Sequence, residues 1–261
     1  MAASKDLKKI DIFFLILFPI FSAFLVEFLR FNFFVATLLF FGLPSLYLSF
    51  KKPKLIKRAL LFAGTISIPM TIVLDSPAFF DRTWFVPNSA FRFLRDSVPI
   101  EDAVWSFLWL YFAVVFWEYF LDYARPNLKI SSHVKYLIMI VFGFSVVYFF
   151  FYFLRPDMLY IKYYYLKMGA FFATVPLLGV LLKFPRLIRK VFIIGLYFLM
   201  VSFLAEFVAL RQGHWNFPGE HYLGVTYLSG HKIPFEEIFF WWTLGVPGLI
   251  CWYEFFVDDQ K

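Results

Sequence analysis

The chain reads as a succession of unbroken apolar runs separated by short polar stretches. Runs close to the roughly 20 residues that span a bilayer fall at 10–29, 31–50, 100–121, 134–154, 163–182 and 234–257. Shorter runs fall at 59–74 and 191–205. The pattern predicts an all-α integral membrane protein with about eight transmembrane helices. The two short runs stop on acids, Asp75 and Glu206, which puts each carboxyl at or below the polar boundary of the membrane. The first run has the outline of a signal peptide, but its length predicts a retained helix.

The pattern also repeats. GLPSLYLSFKKPKLIKRALLF (42–62) aligns with TVPLLGVLLKFPRLIRKVFII (174–194), matching Pro44 to Pro176, Pro53 to Pro185 and Lys57-Arg58 to Arg189-Lys190. DSPAFFDRTWFVP (75–87) then aligns without a gap onto EFVALRQGHWNFP (206–218), and VPIEDAVW (98–105) faces IPFEEIFF (233–240). Polar and proline positions in register are not what biased composition alone produces. They predict two four-helix repeats, 1–130 and 131–261, joined by a linker near 123–131. An even helix count gives both repeats the same orientation, so they are parallel.

Composition strengthens the membrane reading. The chain is 62% hydrophobic and only 16% charged, against about a quarter charged in soluble domains; too few polar groups remain to cover a globule. The net charge of +7 is spread over short loops without a basic run, which argues against nucleic-acid binding. Sixteen of the 25 Lys and Arg fall on the side of the N-terminus. This predicts a multi-pass protein of the cell membrane with cytoplasmic termini and the loops 75–98 and 206–233 outside. A single cysteine, Cys251, permits no disulfide framework or Cys-based metal site within the chain.

The chemistry-bearing residues are the carboxylates around the outer loops: Asp75, Glu101, Asp102, Glu206, Glu236 and Glu237. An ionised group at the centre of a membrane helix costs roughly 2.5–3.5 kcal/mol, less near the interface. Four of these acids also follow a proline at a helix start (Glu101, Asp102, Glu236, Glu237), where they complement the helix dipole. As a functional group, closely spaced carboxyls can hold one protonated acid beside one anion. Such a pair suits protonation of an alkene, the cation being stabilised by charge and aromatic faces. Trp84 and Trp215 each follow an acid by nine residues and fit either interface anchoring or the site. His214, His221 and His231, with Glu220, lack the spacing of a helical zinc motif and read as loop residues; no metal is expected. Nucleotide-binding glycine loops and an acidic magnesium–diphosphate motif are absent, and no cofactor is predicted.

Acid-x-x-Ala, then Trp, a Gly-bearing loop and Pro-x-Glu-Glu-x-x-Phe-Phe occur in that order. The carriers are Glu206-x-x-Ala209, Trp215-Asn216-Phe217, Leu223-Gly224 and 234–240. This resembles the lycopene cyclase domain of small membrane-embedded carotenoid cyclases, known as heterodimers or fused pairs in Gram-positive bacteria and archaea and fused to phytoene synthase in fungi. The second half is the closer match. The first keeps Asp75-x-x-Ala78, Trp84 and Pro99-Ile100-Glu101-Asp102, but carries the insert NSAFRFLRDS and has Ala-Val-Trp at 103–105. The resemblance implies redox-neutral, acid-catalysed cyclisation of the ends of a linear, lipid-soluble carotene. Glu236 and Glu101 would then be the leading acid or base, supported by Glu237, Asp102, Glu206 and Asp75. Trp215, Trp84, Phe235, Phe239 and Phe240 would contact substrate, and membrane lipid and other carotenoid-pathway enzymes would be the partners. Carotenoid hydration or another isoprenoid modification, and a proton-coupled transporter or membrane scaffold, stand as alternatives.

Overall fold

The computed structural model describes residues 5–122 and 130–258. Among the described residues, seven helices are long and apolar enough to cross a bilayer: α1 (Lys5–Leu29), α2 (Phe33–Lys51), α3 (Pro53–Asp81), α4 (Ile100–Leu121), α5 (Val134–Leu154), α6 (Tyr164–Lys183) and α7 (Pro185–Gln212). A further helical segment, α8, covers 235–256. Among the described residues, the only sheets are two hairpins in the loops before α4 and α8. They pair β1 (Arg92–Phe93) with β2 (Val98–Pro99) and β3 (Val225–Leu228) with β4 (His231–Pro234). The all-α expectation therefore holds at the level of class.

Two expected boundaries move. α3 and α7 run past Asp75 and Glu206 to Asp81 and Gln212, so both acids lie inside helices rather than at their ends. Hydropathy falls at the acids because the next turn is covered by protein: Ser76, Pro77, Ala78 and Asp81 are buried. The true stops are left-handed residues, Arg82 (φ 54°) and Gly213 (φ 68°). After each, an amide N–H reaches back to the same helical carbonyl position, Thr83 to Ala78 and His214 to Ala209, both at 2.8 Å.

Wide π-turns interrupt several helices: Leu38–Gly42 in α2, Trp117–Leu121 in α4, Ala170–Thr174 in α6 and Glu237–Gly245 in α8. Three of these four run up to a proline, Pro44, Pro176 or Pro247. Proline lacks the N–H and its ring crowds the carbonyl four residues back, and a widened turn relieves the clash. The carbonyl of Phe172, four residues before Pro176, accepts from Trp252 Nε1 at 3.1 Å.

α4 is central, with residues 109–119 all buried. Its Phe112 and Phe116 pack against Phe198 (5.1 Å) and Tyr197 (4.2 Å) of α7. α5 lies at the periphery and exposes Met139, Phe142, Val146, Phe150 and Phe153. Contacts between the halves are reciprocal. On the loop side, Phe85 and Asn216 exchange both backbone hydrogen bonds at 2.9 Å. At the opposite end, Trp117 Nε1 donates to Glu254 (2.6 Å) while Tyr253 donates to Glu118. There too, Arg58 pairs with Asp258 (2.9 Å) while Lys190 pairs with Asp122 (2.6 Å). Of the expected linker, residues 123–129 lie outside the described residues; Ile130 bridges to Asp258.

Candidate functional site

A cavity of about 180 Å³ lies among α2 to α8. Its α8 wall runs from Glu237 to Trp252, about 20 Å along the axis at the usual helical rise, so the space is elongated. Aromatic and aliphatic side chains dominate it. Trp105 stacks on Trp109 (5.2 Å), Trp109 meets Trp241 (6.0 Å), and Tyr165 closes on Trp241 (6.3 Å).

Four of the six acids singled out by sequence line this cavity: Asp75, Asp102, Glu206 and Glu237. Asp75 from α3 and Asp102 from α4 meet carboxyl to carboxyl, with Trp84 in hydrogen-bonding reach. The Oδ2 atom of each is buried with no hydrogen-bond partner. Glu206 accepts from Trp215 Nε1 at 2.7 Å, and Glu237 accepts from Trp242 Nε1 at 3.1 Å. Below the aspartates, the Thr71 and Ser106 hydroxyls pair at 2.7 Å. The tryptophans expected as either anchors or site residues, Trp84 and Trp215, both face the cavity.

Glu101 and Glu236, the leading acid and base of the sequence reading, lie elsewhere. Glu101 accepts from Ser89 Oγ (2.5 Å) and the Ala90 amide (2.7 Å); Glu236 accepts from the Leu223 amide (2.6 Å). Each is buried against the backbone of its own loop and holds that loop closed. The reason is helical geometry: consecutive residues point about 100° apart, so the first acid of each pair meets the loop and the second the cavity. The same rotation puts Phe240 on the cavity wall and turns Phe235 and Phe239 outward, 51% and 56% exposed. Phe235 instead covers Gly224, where a Cβ would stand 2.7 Å from its ring.

Two of the loop histidines have separate partners. Burial lowers the pKa of His214, whose Nε2 bonds the Phe31 carbonyl at 2.8 Å, and His221 Nδ1 pairs with Asp81 at 2.8 Å. Burial likewise raises the phenol of Tyr222, which donates to the Thr83 carbonyl at 2.6 Å. Among the described residues, the acids close enough to share a metal are Asp122, Glu254 and Asp258, at the opposite end of the helices. Each already faces Lys190, Trp117 or Arg58.

Sequence reasoning missed Trp242, Thr71, Ser106 and Arg92. On an α-helix, Trp242 would stand about 140° from Glu237; the π-turn brings residues five apart onto one face. The signal was Pro247, which forces that turn. Arg92 belongs to the charged insert of the first loop. Its guanidinium donates to the Val86 carbonyl, sits 4.9 Å from the Phe85 ring, and is close enough to act on both Asp75 and Asp102. Comparison of the chain with protein-family models, curated proteins and solved structures finds no match.

Proposed function

We propose that the protein is a membrane enzyme that isomerises a lipid-dissolved polyene by protonation and deprotonation, in the manner of a lycopene cyclase. The observation that carries this reading is the cavity: elongated, aromatic, and polar mainly where four carboxyls enter it. One end of a linear carotene fits such a space. A proton delivered to its terminal alkene makes a cation that attacks a second double bond and closes a six-membered ring, and loss of a proton from carbon restores neutrality. Tryptophan faces around the acids favour the cation over its return to water. A second reading, hydration of the same cation, is favoured by Thr71, Ser106 and Ser67 on the cavity wall.

In this reading α8 also crosses the membrane, giving eight helices in two parallel four-helix repeats with cytoplasmic termini and the acids toward the outer leaflet. Support comes from the contacts at both ends: Phe85 and Asn216, matched by the repeat, exchange backbone hydrogen bonds, and each half donates to a glutamate of the other, Trp117 to Glu254 and Tyr253 to Glu118. The substrate enters sideways past α5, where Phe144 meets Phe171 (5.8 Å) and Phe172 (5.9 Å) of α6. The test is expression in a lycopene-accumulating host. Conversion of the red linear pigment to a yellow-orange product of equal mass is expected; a product heavier by one water selects hydration. Unchanged lycopene beside well-folded protein rejects both.

A further inference from the structure

Resting on that reading, we infer that the two halves of the site perform opposite steps: Glu206 and Glu237 give the proton, and Asp75 and Asp102, under Arg92, take one back. The halves match in sequence but differ in what surrounds the acids. Glu206 and Glu237 are each held by one indole N–H, and no cation acts on either. An apolar wall with a single neutral donor gives a carboxylate nothing to balance its charge, so the neutral acid is the form accommodated there.

The first half can keep one negative charge on a pair of acids. Asp75 and Asp102 touch carboxyl to carboxyl, and their donorless Oδ2 atoms suit one proton shared between two groups, leaving one charge on the pair. Arg92, held on the Val86 carbonyl at the cavity wall, is the cation that acts on the pair, against the like charge of Glu101; Trp84 and Tyr164 are the other groups that act on it. Arg92 comes from residues 88–97, whose place in the second half is taken by 219–232; the lysine there, Lys232, donates to the Gly219 carbonyl instead. At the repeat position of Ser106 the second half carries Trp241, so the hydroxyl pair beside the aspartates is also unmatched.

The step balances. The Glu206/Glu237 proton forms a C–H bond at the terminal alkene, and the resulting cation forms the ring C–C bond. A neighbouring C–H then breaks, its proton passing to the Asp75/Asp102 pair and its electrons forming the new double bond. Return of that proton to the glutamates resets the site without a co-reactant.

The experiment uses the full-length protein in membranes, in heavy water, with lycopene. Wild type should place one deuterium in the product for each ring formed. Asp75→Asn and Asp102→Asn should lower product at least tenfold yet leave deuterium in the recovered linear pigment, because protonation still occurs. Glu206→Gln and Glu237→Gln should abolish both. Arg92→Gln should slow turnover at least tenfold, with Arg92→Lys restoring most of it. The opposite deuterium pattern overturns the assignment. Infrared spectra of the substrate-free protein give an independent readout: the protonated-carboxyl carbonyl band should shrink in Glu206→Gln and Glu237→Gln, and the carboxylate band in the Asp75→Asn/Asp102→Asn double variant. If wild type leaves lycopene untouched while the infrared pattern holds, the cyclase reading fails and the protonation assignment stands. An active wild type with the infrared pattern reversed sinks the assignment alone.

Discussion

Adjacent acids on one helix can do unrelated work, and Glu101 and Asp102 separate the two roles. Glu101 accepts two loop hydrogen bonds away from the cavity, whereas Asp102 enters it. Glu101→Ala leaves the Ala90 amide without its acceptor and should cost about 1–3 kcal/mol, read as a lower Tm in detergent. Asp102→Asn should keep the Tm and lose turnover by about 10²-fold or more, the usual scale for removing an acid–base group. Equal losses of Tm in the two variants would reject the division. His214 gives a pH signature at the same scale. Burial holds its folded pKa below the ordinary 6.5, so below that pH the unfolded chain takes up a proton that the native state refuses. Stability should therefore fall as the pH drops through about 6.5 and be flat above it. His214→Gln, which retains a donor for Phe31, should flatten Tm between about pH 7.5 and 5.5. That these acids matter was legible in the sequence, because charge in an apolar run is conspicuous. Which member of each pair faces inward was not, because it turns on one residue of helix phase.

At the scale of elements, the helices were readable and their irregularities only partly so. Apolar run length located all seven long helices. It stopped α3 and α7 too early because it registers lipid exposure, and their last turns are covered by loops instead. The π-turns were signalled by Pro44, Pro176 and Pro247, but the wider turn's effect on which side chains meet, as for Glu237 and Trp242, required the fold. Close approach of helices adds a test. At Gly248 a Cβ would stand 2.7 Å from the backbone of Ala173 in α6, and at Gly169 it would stand 2.3 Å from the Phe240 ring. Backbone cannot swing aside as a ring can, so Gly248→Ala should part α6 from α8. A loss of about 1–3 kcal/mol is expected, along with reduced turnover because that seam walls the cavity. Gly169→Ala should do less to Tm and more to turnover, since Phe240 would have to rotate into the cavity. Comparable Tm losses for the two glycines would contradict this ordering.

For the whole molecule, the sequence showed matching segments in the two halves, but not which residues would meet or that both ends of the bundle would be tied across the halves. The tie distant from the cavity is the stronger. Arg58, 2% exposed, bonds Glu118 of its own half and Asp258 of the other, while Lys190 reaches back to Asp122. Removing one member of a buried ion pair strands the others, which typically costs about 3–5 kcal/mol. Arg58→Gln should therefore destabilise the protein by that order, measured by denaturation in detergent. Replacing Arg58, Glu118 and Asp258 together with apolar residues of similar volume should recover much of the loss. None of these cross-half contacts requires continuous chain between Asp122 and Ile130. Residues 1–126 and 127–261 expressed as two polypeptides should then assemble and co-purify, and Arg58→Gln in the first should abolish the pairing. Because Arg58 is remote from Asp75 and Glu237, any turnover lost in the split Arg58→Gln protein should return in proportion to the complex recovered. If the split halves assemble equally well with and without Arg58, the loop-side exchange between Phe85 and Asn216 and the apolar seam suffice, and the buried cation has some other role.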